Sequence, residues 1–160
     1  MRVKELDETE WRRTEGGFIQ GCSHTGLLLN HKVRNQIIME CVVRLRSIEA
    51  LDSIVVCGTS GLLVGPQVSE ILNLNLVIVR KPNETSSSYS DFDVEGTHPS
   101  RYIILDDLCS SGKTVRNILR SINKEYYRVE CLGAYFYLQD QTAYQNCPEK
   151  FVYEFNINYL

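Results

Sequence analysis

No Cys-x-x-Cys pair occurs among the six cysteines (Cys22, Cys41, Cys57, Cys109, Cys131 and Cys147), and none has a histidine at metal-ligand spacing. That spacing excludes the usual zinc patterns and does not resemble a disulfide framework. Cys41, Cys57 and Cys131 lie inside apolar runs, where a free thiol serves as a small buried hydrophobe. A reducing cytoplasm is therefore the expected compartment. A basic surplus is also missing: the formal net charge is −3, which gives no footing for nucleic-acid binding. No window approaches the roughly 18 consecutive apolar residues of a membrane-spanning helix, so no membrane partner is expected. The opening MRVKELDETEWRRTEGG is charged and has no apolar core, which argues against a secretory signal. Internal repeats and a domain linker are likewise absent.

What remains is a chain of 160 residues, 43% hydrophobic and 23% charged, the balance of one globular domain. Apolar residues at helical spacing from Asn30 to about Ile48 predict an amphipathic helix (Val33, Ile37, Ile38, Cys41, Val42, Leu45). SIVVC (53–57), NLVIVR (75–80), RYIILD (101–106) and VECLGAYFYL (129–138) read as buried strands. Between them, 62–73 reads as a helix with Pro66 in its first turn, and 113–125 as a second helix. Alternation in KFVYEFNINYL predicts one more strand in the tail. The order implies an α/β fold with a mostly parallel sheet, a core spanning about 31–138, and terminal segments 1–30 and 139–160.

In such sheets ligands collect at the carboxyl ends of the strands, and three unusual segments fall there. Gly58-Thr59-Ser60-Gly61 reads as a turn, Arg80-Lys81 follows the second strand, and Asp106 to Thr114 follows the third. Ser110, Ser111, Gly112, Lys113 and Thr114 open a helix, where free N–H groups favour an anion such as phosphate. Asp106 and Asp107 repel phosphate, so they serve hydroxyl groups or a divalent cation. Phosphoribosyl pyrophosphate combines a phosphate, vicinal hydroxyls and a metal-bound pyrophosphate. Each segment also has a plainer explanation: a helix cap, a tight turn, a solvated edge. Gly112-Lys113-Thr114 is not a P-loop, because GxxxxGK[ST] needs glycine where Asp107 stands.

YIILDDLCSSGKT resembles the phosphoribosyl-pyrophosphate motif of the type I phosphoribosyltransferases. TSGLLVGP (59–66) and VIVRKP (77–82) resemble the pyrophosphate loop and the pre-lid strand of the adenine branch of that family. The likeness covers about residues 50–125 and implies a single-domain, Rossmann-like phosphoribosyltransferase core with a small variable hood. It implies that Asp106 and Asp107 bind the ribose hydroxyls of the Mg²⁺-bound substrate. By the same likeness Ser110, Ser111, Gly112, Lys113 and Thr114 hold the 5′-phosphate. Thr59, Ser60 and Gly61 meet the pyrophosphate, with Arg80 and Lys81 assisting. Residues 83–100 form a closing loop, with Glu95 as its acid; Asp106, Asp107, Lys81 and Glu95 form the catalytic set. Magnesium arrives with the substrate and possible protein contacts to it are Asp106 and Asp107.

The implied reaction moves the phosphoribosyl group to a nucleobase, purine or purine-like, with pyrophosphate leaving; the implied partners are these small molecules and a second copy in a homodimer. Ser60 departs from the family by replacing an arginine, and Ser110 replaces the aspartate of hypoxanthine-guanine enzymes. A non-catalytic protein binding the same sugar phosphate or a nucleotide is the alternative, and a metal-binding α/β protein using Asp106 a third, which leaves Arg80-Lys81 unexplained. Trp11, Phe18, Tyr144, Tyr153 and Tyr159 could stack on a base, although core packing is the commoner fate of such rings.

Overall fold

A computed structural model describes residues 23–81, 93–109 and 111–138. The chain runs α1 (Ser23–Leu29), α2 (His31–Leu45), β1 (Ser53–Cys57), α3 (Gly58–Leu72), β2 (Asn75–Val79), β3 (Val94–Gly96), β4 (Arg101–Asp106), α4 (Lys113–Glu125) and β5 (Glu130–Phe136). These strands form one sheet in the order β3-β2-β1-β4-β5. β1 lies parallel to β2 and β4, β4 is parallel to β5, and β3 alone is antiparallel, on β2.

Strand sequence decides which layer each residue joins. Ile54 and Val56 on β1, and Ile103 and Leu105 on β4, point to one face, where Ile37, Ile38 and Cys41 of α2 and Val64 and Val68 of α3 cover them. Val55, Cys57, Tyr102 and Ile104 point to the other, against Val115, Ile118 and Ile122 of α4. Covered on both sides, β1 is buried throughout, which is why it reads as an unbroken apolar run. α3 carries the chain from β1 to β2 and α4 carries it from β4 to β5, in opposite directions across the sheet. Right-handed crossovers in opposite directions require opposite faces, and the two helices lie on opposite faces.

Three expectations need correction. Residues 59–61 are not a turn: α3 begins at Gly58, so Pro66 lies in the helix interior rather than its first turn. Gly58, at φ +79°, turns the chain straight from strand to helix, which a reading of Gly-Thr-Ser-Gly as loop chemistry misses. Packing then holds the helix: Cβ atoms on Gly61 and Gly65 would come within 2.8 and 2.7 Å of Val56 side-chain atoms, so both glycines let α3 settle onto β1. Residues 83–100 are not one closing loop, since Val94–Gly96 pairs with β2 and buries Val94 in the core. Residues 1–30 are not wholly outside the core, because α1 inserts Leu28, fully buried, among the α2 and α3 side chains. The tail strand, the terminal aromatic residues and Ser110 lie outside the described residues.

Candidate active site

β1 is the point where the winding reverses: the chain leaves it towards β2 and returns on its other side as β4. The crevice beyond the carboxyl ends of β1 and β4 is therefore the ligand position that the topology offers. Gly58 and the first turn of α3 stand on one side of it, Asp106 and Asp107 on the other.

A side-chain bond joins the two sides. Ser60 Oγ donates to Asp106 Oδ1 at 3.1 Å, across 46 residues of sequence. The Asp107 N–H donates to the same oxygen at 2.9 Å. Asp106 is 5% exposed. Burial raises its carboxyl pKa, the Asp107 charge raises it further, and the hydrogen bonds from Asp107 N–H and Ser60 partly oppose both. Asp107 is the more accessible acid of the pair and accepts the Leu108 N–H at 2.8 Å. Two neighbouring carboxyls are thus set unequally, one held inside and one at the rim.

Lys81 closes the β2 side. A Cβ on Gly58 would lie 2.9 Å from Lys81 Nζ, so the ammonium rests against the backbone that opens α3. Arg80 points elsewhere: its Nε donates to Glu95 Oε1 at 2.7 Å, Nη2 pairs with the same oxygen, and Asn117 Nδ2 of α4 holds its carbonyl at 3.1 Å. Glu95 therefore sits on β3 opposite Ile78, engaged with a guanidinium, and not on a mobile tip. Thr59 is exposed, whereas Gly61 is buried against Val56 and the Leu105 carbonyl.

Beyond Asp107 the chain reaches Gly112, the residue capping α4, at φ +70°. That left-handed conformation suits glycine and turns the backbone into the helix. Ser111, Lys113 and Thr114 flank it with exposed or half-exposed side chains. Arg116 Nη1 bonds the Ser111 carbonyl at 3.1 Å and steadies the turn. The helix start presents N–H groups and the positive dipole end, the chemistry that accepts a phosphate.

Two participants escape a reading of the sequence: Asn117, which holds the Arg80 carbonyl, and Tyr137, whose hydroxyl donates to the Ser60 carbonyl at 2.9 Å. Nothing local marks them; each is recruited by a partner from another element. Among the described residues no group of three His, Cys, Asp or Glu side chains could hold a metal ion.

No protein-family model and no curated protein sequence matches the chain. Solved structures do. UMP synthase from Leishmania donovani superposes with a TM-score of 0.62 at 18% identity, over 84% of this chain and 28% of that one. Adenine phosphoribosyl transferase from Trypanosoma brucei, in complex with AMP, pyrophosphate and ribose-5-phosphate, gives 0.59 at 16% identity, over 84% and 65%. Orotate phosphoribosyltransferase from Aeropyrum pernix gives 0.57 at 16% identity, over 72% and 64%. The chain thus spans less than two thirds of each of these proteins. Its fold is that of the type I phosphoribosyltransferases. Within that fold its structural likenesses include enzymes named for adenine and for orotate, so the fold alone does not choose the base.

Proposed function

We propose that the protein is a phosphoribosyltransferase, moving the 5-phosphoribosyl group of phosphoribosyl pyrophosphate to a nucleobase with release of pyrophosphate. The observation that carries this reading is the Ser60–Asp106 hydrogen bond, which joins the α3 opening to the acid pair at the switch point. Asp107 at the rim and Asp106 behind it take the ribose hydroxyls. The Ser111 to Thr114 turn, with Ser110 before it, takes the 5′-phosphate on backbone N–H groups. Thr59, Ser60 and the Gly61 backbone, with Lys81 beside Gly58, meet the pyrophosphate. Arg80, next to Lys81 in the chain, assists, with Glu95 holding its guanidinium.

Displacement at the anomeric carbon places positive character on the sugar and negative charge on the departing pyrophosphate. The work of the site is then to position both and to receive that negative charge. Magnesium carried on the pyrophosphate supplies further charge neutralisation there. The base is proposed to be a purine or purine-like, on the adenine-branch likeness of TSGLLVGP and VIVRKP. A cytoplasmic location and a homodimer belong to the same proposal. No helix among the described residues is long and apolar enough to cross a membrane.

The test is pyrophosphate release with Mg²⁺, phosphoribosyl pyrophosphate and a panel of purine and pyrimidine bases. Base-dependent release, abolished in Asp106→Asn/Asp107→Asn, is expected. Tight sugar-phosphate binding without turnover on any base refutes the transferase and leaves a binding protein.

A further inference from the structure

We propose that Tyr137 is a positioning residue for sugar recognition, acting through Ser60 on the carboxyl of Asp106. The inference rests on the function proposed above and adds to it a residue outside every motif. Tyr137 follows β5 and is 8% exposed. Its backbone N–H donates to the Asp106 carbonyl at 3.1 Å, continuing the β4–β5 pairing by one residue. Its hydroxyl donates to the Ser60 carbonyl at 2.9 Å, and Ser60 Oγ donates to Asp106 Oδ1 at 3.1 Å.

These bonds close a ring through three elements that are remote in sequence: α3, β4 and the end of β5. Direction is fixed at the tyrosine, since the Ser60 carbonyl only accepts, and the Ser60 hydroxyl donates to the ionised Asp106 carboxylate. Burial first, then the charges of Asp107 and Asp106, push the Tyr137 hydroxyl pKa up, so it remains a donor at any working pH. The first turn of α3 has no side-chain cap of its own: the residue before it is Cys57, which makes no such bond. Tyr137 ties that first turn, through the Ser60 carbonyl, to the chain just beyond β5.

The consequence falls on the sugar and not on the phosphate. Ser60 and the Asp107 N–H both occupy Oδ1 of Asp106, which fixes the carboxyl plane and assigns Oδ2 to an incoming sugar hydroxyl. None of the ring's hydrogen bonds involves Ser111 to Thr114. A loosened ring therefore lets the carboxyl rotate and costs hydroxyl recognition, while anion binding at α4 continues.

The experiment compares the full chain and its variants by calorimetric titration with inorganic phosphate and with ribose 5-phosphate. The ratio of the two affinities reports sugar recognition alone. In Tyr137→Phe, which keeps the ring volume, that ratio is expected to fall by up to about tenfold, the upper end for one lost hydrogen bond between neutral groups. Phosphate affinity stays within twofold, and 4-aminophenylalanine at position 137, which retains a donor, restores the ratio. Ser60→Ala breaks the same ring elsewhere, so it gives the same loss, and the double variant loses no more than either single one. With turnover, KM for phosphoribosyl pyrophosphate rises more than kcat falls. An unchanged ratio in Tyr137→Phe and Ser60→Ala overturns the proposal and leaves the transferase standing, as does an equal loss of both ligands, the mark of a merely structural tyrosine. Failure of the unaltered protein to bind ribose 5-phosphate at all overturns the transferase, and this proposal with it.

Discussion

Replacing Asp106 by asparagine should make the ligand-free protein more stable, and only above acidic pH. The residue is 5% exposed with a second carboxyl beside it, so its ionised form is disfavoured on both counts. Its pKa is raised from 3.8 to about 7, chiefly by burial. A raised acid favours the fold when protonated: that contribution is complete below about pH 3.8 and is gone once the pH has passed about 7. At about 1.4 kcal/mol per pH interval, the rise from 3.8 to about 7 sets a ceiling of about 4 kcal/mol. Relaxation and water around a buried charge reduce such penalties, so about 2 kcal/mol is the expected gain. Asparagine retains an oxygen for Ser60 Oγ and the Asp107 N–H, and its new amide can donate to the Asp107 carboxylate. For a chain of 160 residues, that gain corresponds to a melting temperature about 4–8 °C higher. Thermal melts in chelator from pH 4 to 9 should show the two proteins converging at pH 4, separating through pH 7 and running parallel above. A pH-independent difference, or a variant that melts lower at pH 8, refutes the account of Asp106 as a charge held against its surroundings. Ribose 5-phosphate binding should move the opposite way, falling at least tenfold, because an amide no longer offers a charged acceptor.

Gly65→Ala drives a methyl to 2.7 Å from Val56 Cγ1 and should lower the melting temperature by several degrees, for about 1–3 kcal/mol of overpacking; Val56→Ala in the same chain should recover part of it. Gly112→Val places a β-branched residue at φ +70°, costing about 1–2 kcal/mol of stability. It should weaken inorganic phosphate binding by more than that strain accounts for, at least tenfold by titration; unchanged affinity removes the phosphate from α4. Glu95→Gln removes the counter-charge of Arg80, a pair 29% and 41% exposed, so stability should change by less than about 1 kcal/mol. Inorganic pyrophosphate should then bind several-fold tighter, and no change in its affinity separates Arg80 from the pyrophosphate site.

What the sequence discloses about this fold depends on how far away the deciding partner lies. β1, β2, β4 and α4 are legible because their apolar runs and helical spacing are local records of burial: SIVVC matches β1 to the residue, and the helix expected at 113–125 is α4. The start of α3 is illegible because Thr59, Ser60 and Gly61 have turn chemistry, and only Val56 lying beneath Gly61 and Gly65 makes a helix the better answer. β3 is hidden for a related reason: a three-residue strand carries no period, and Val94 becomes a core residue only once β2 is beside it. The site divides along the same line. Asp106, Asp107 and Gly112 announce themselves, since acids ending a buried strand and a glycine opening a helix are costly unless used. The Ser60–Asp106 bond spans 46 residues and the Tyr137–Ser60 bond 77, separations at which no pattern in the chain survives. The family likeness supplied the segments that face one another, but not the bonds that hold them there. Ser60 shows why this matters: the resemblance makes it a lost cation, yet in the fold its hydroxyl donates to the buried acid while Lys81, brought over Gly58, places a positive charge at the same helix start. Lys81, just beyond β2, is the cation set at this helix start, so Lys81→Ala should raise KM for phosphoribosyl pyrophosphate well beyond any change in stability. Equal effects of Lys81→Ala and Ser60→Ala on pyrophosphate binding, with neither altering ribose 5-phosphate affinity, contradict this division of roles.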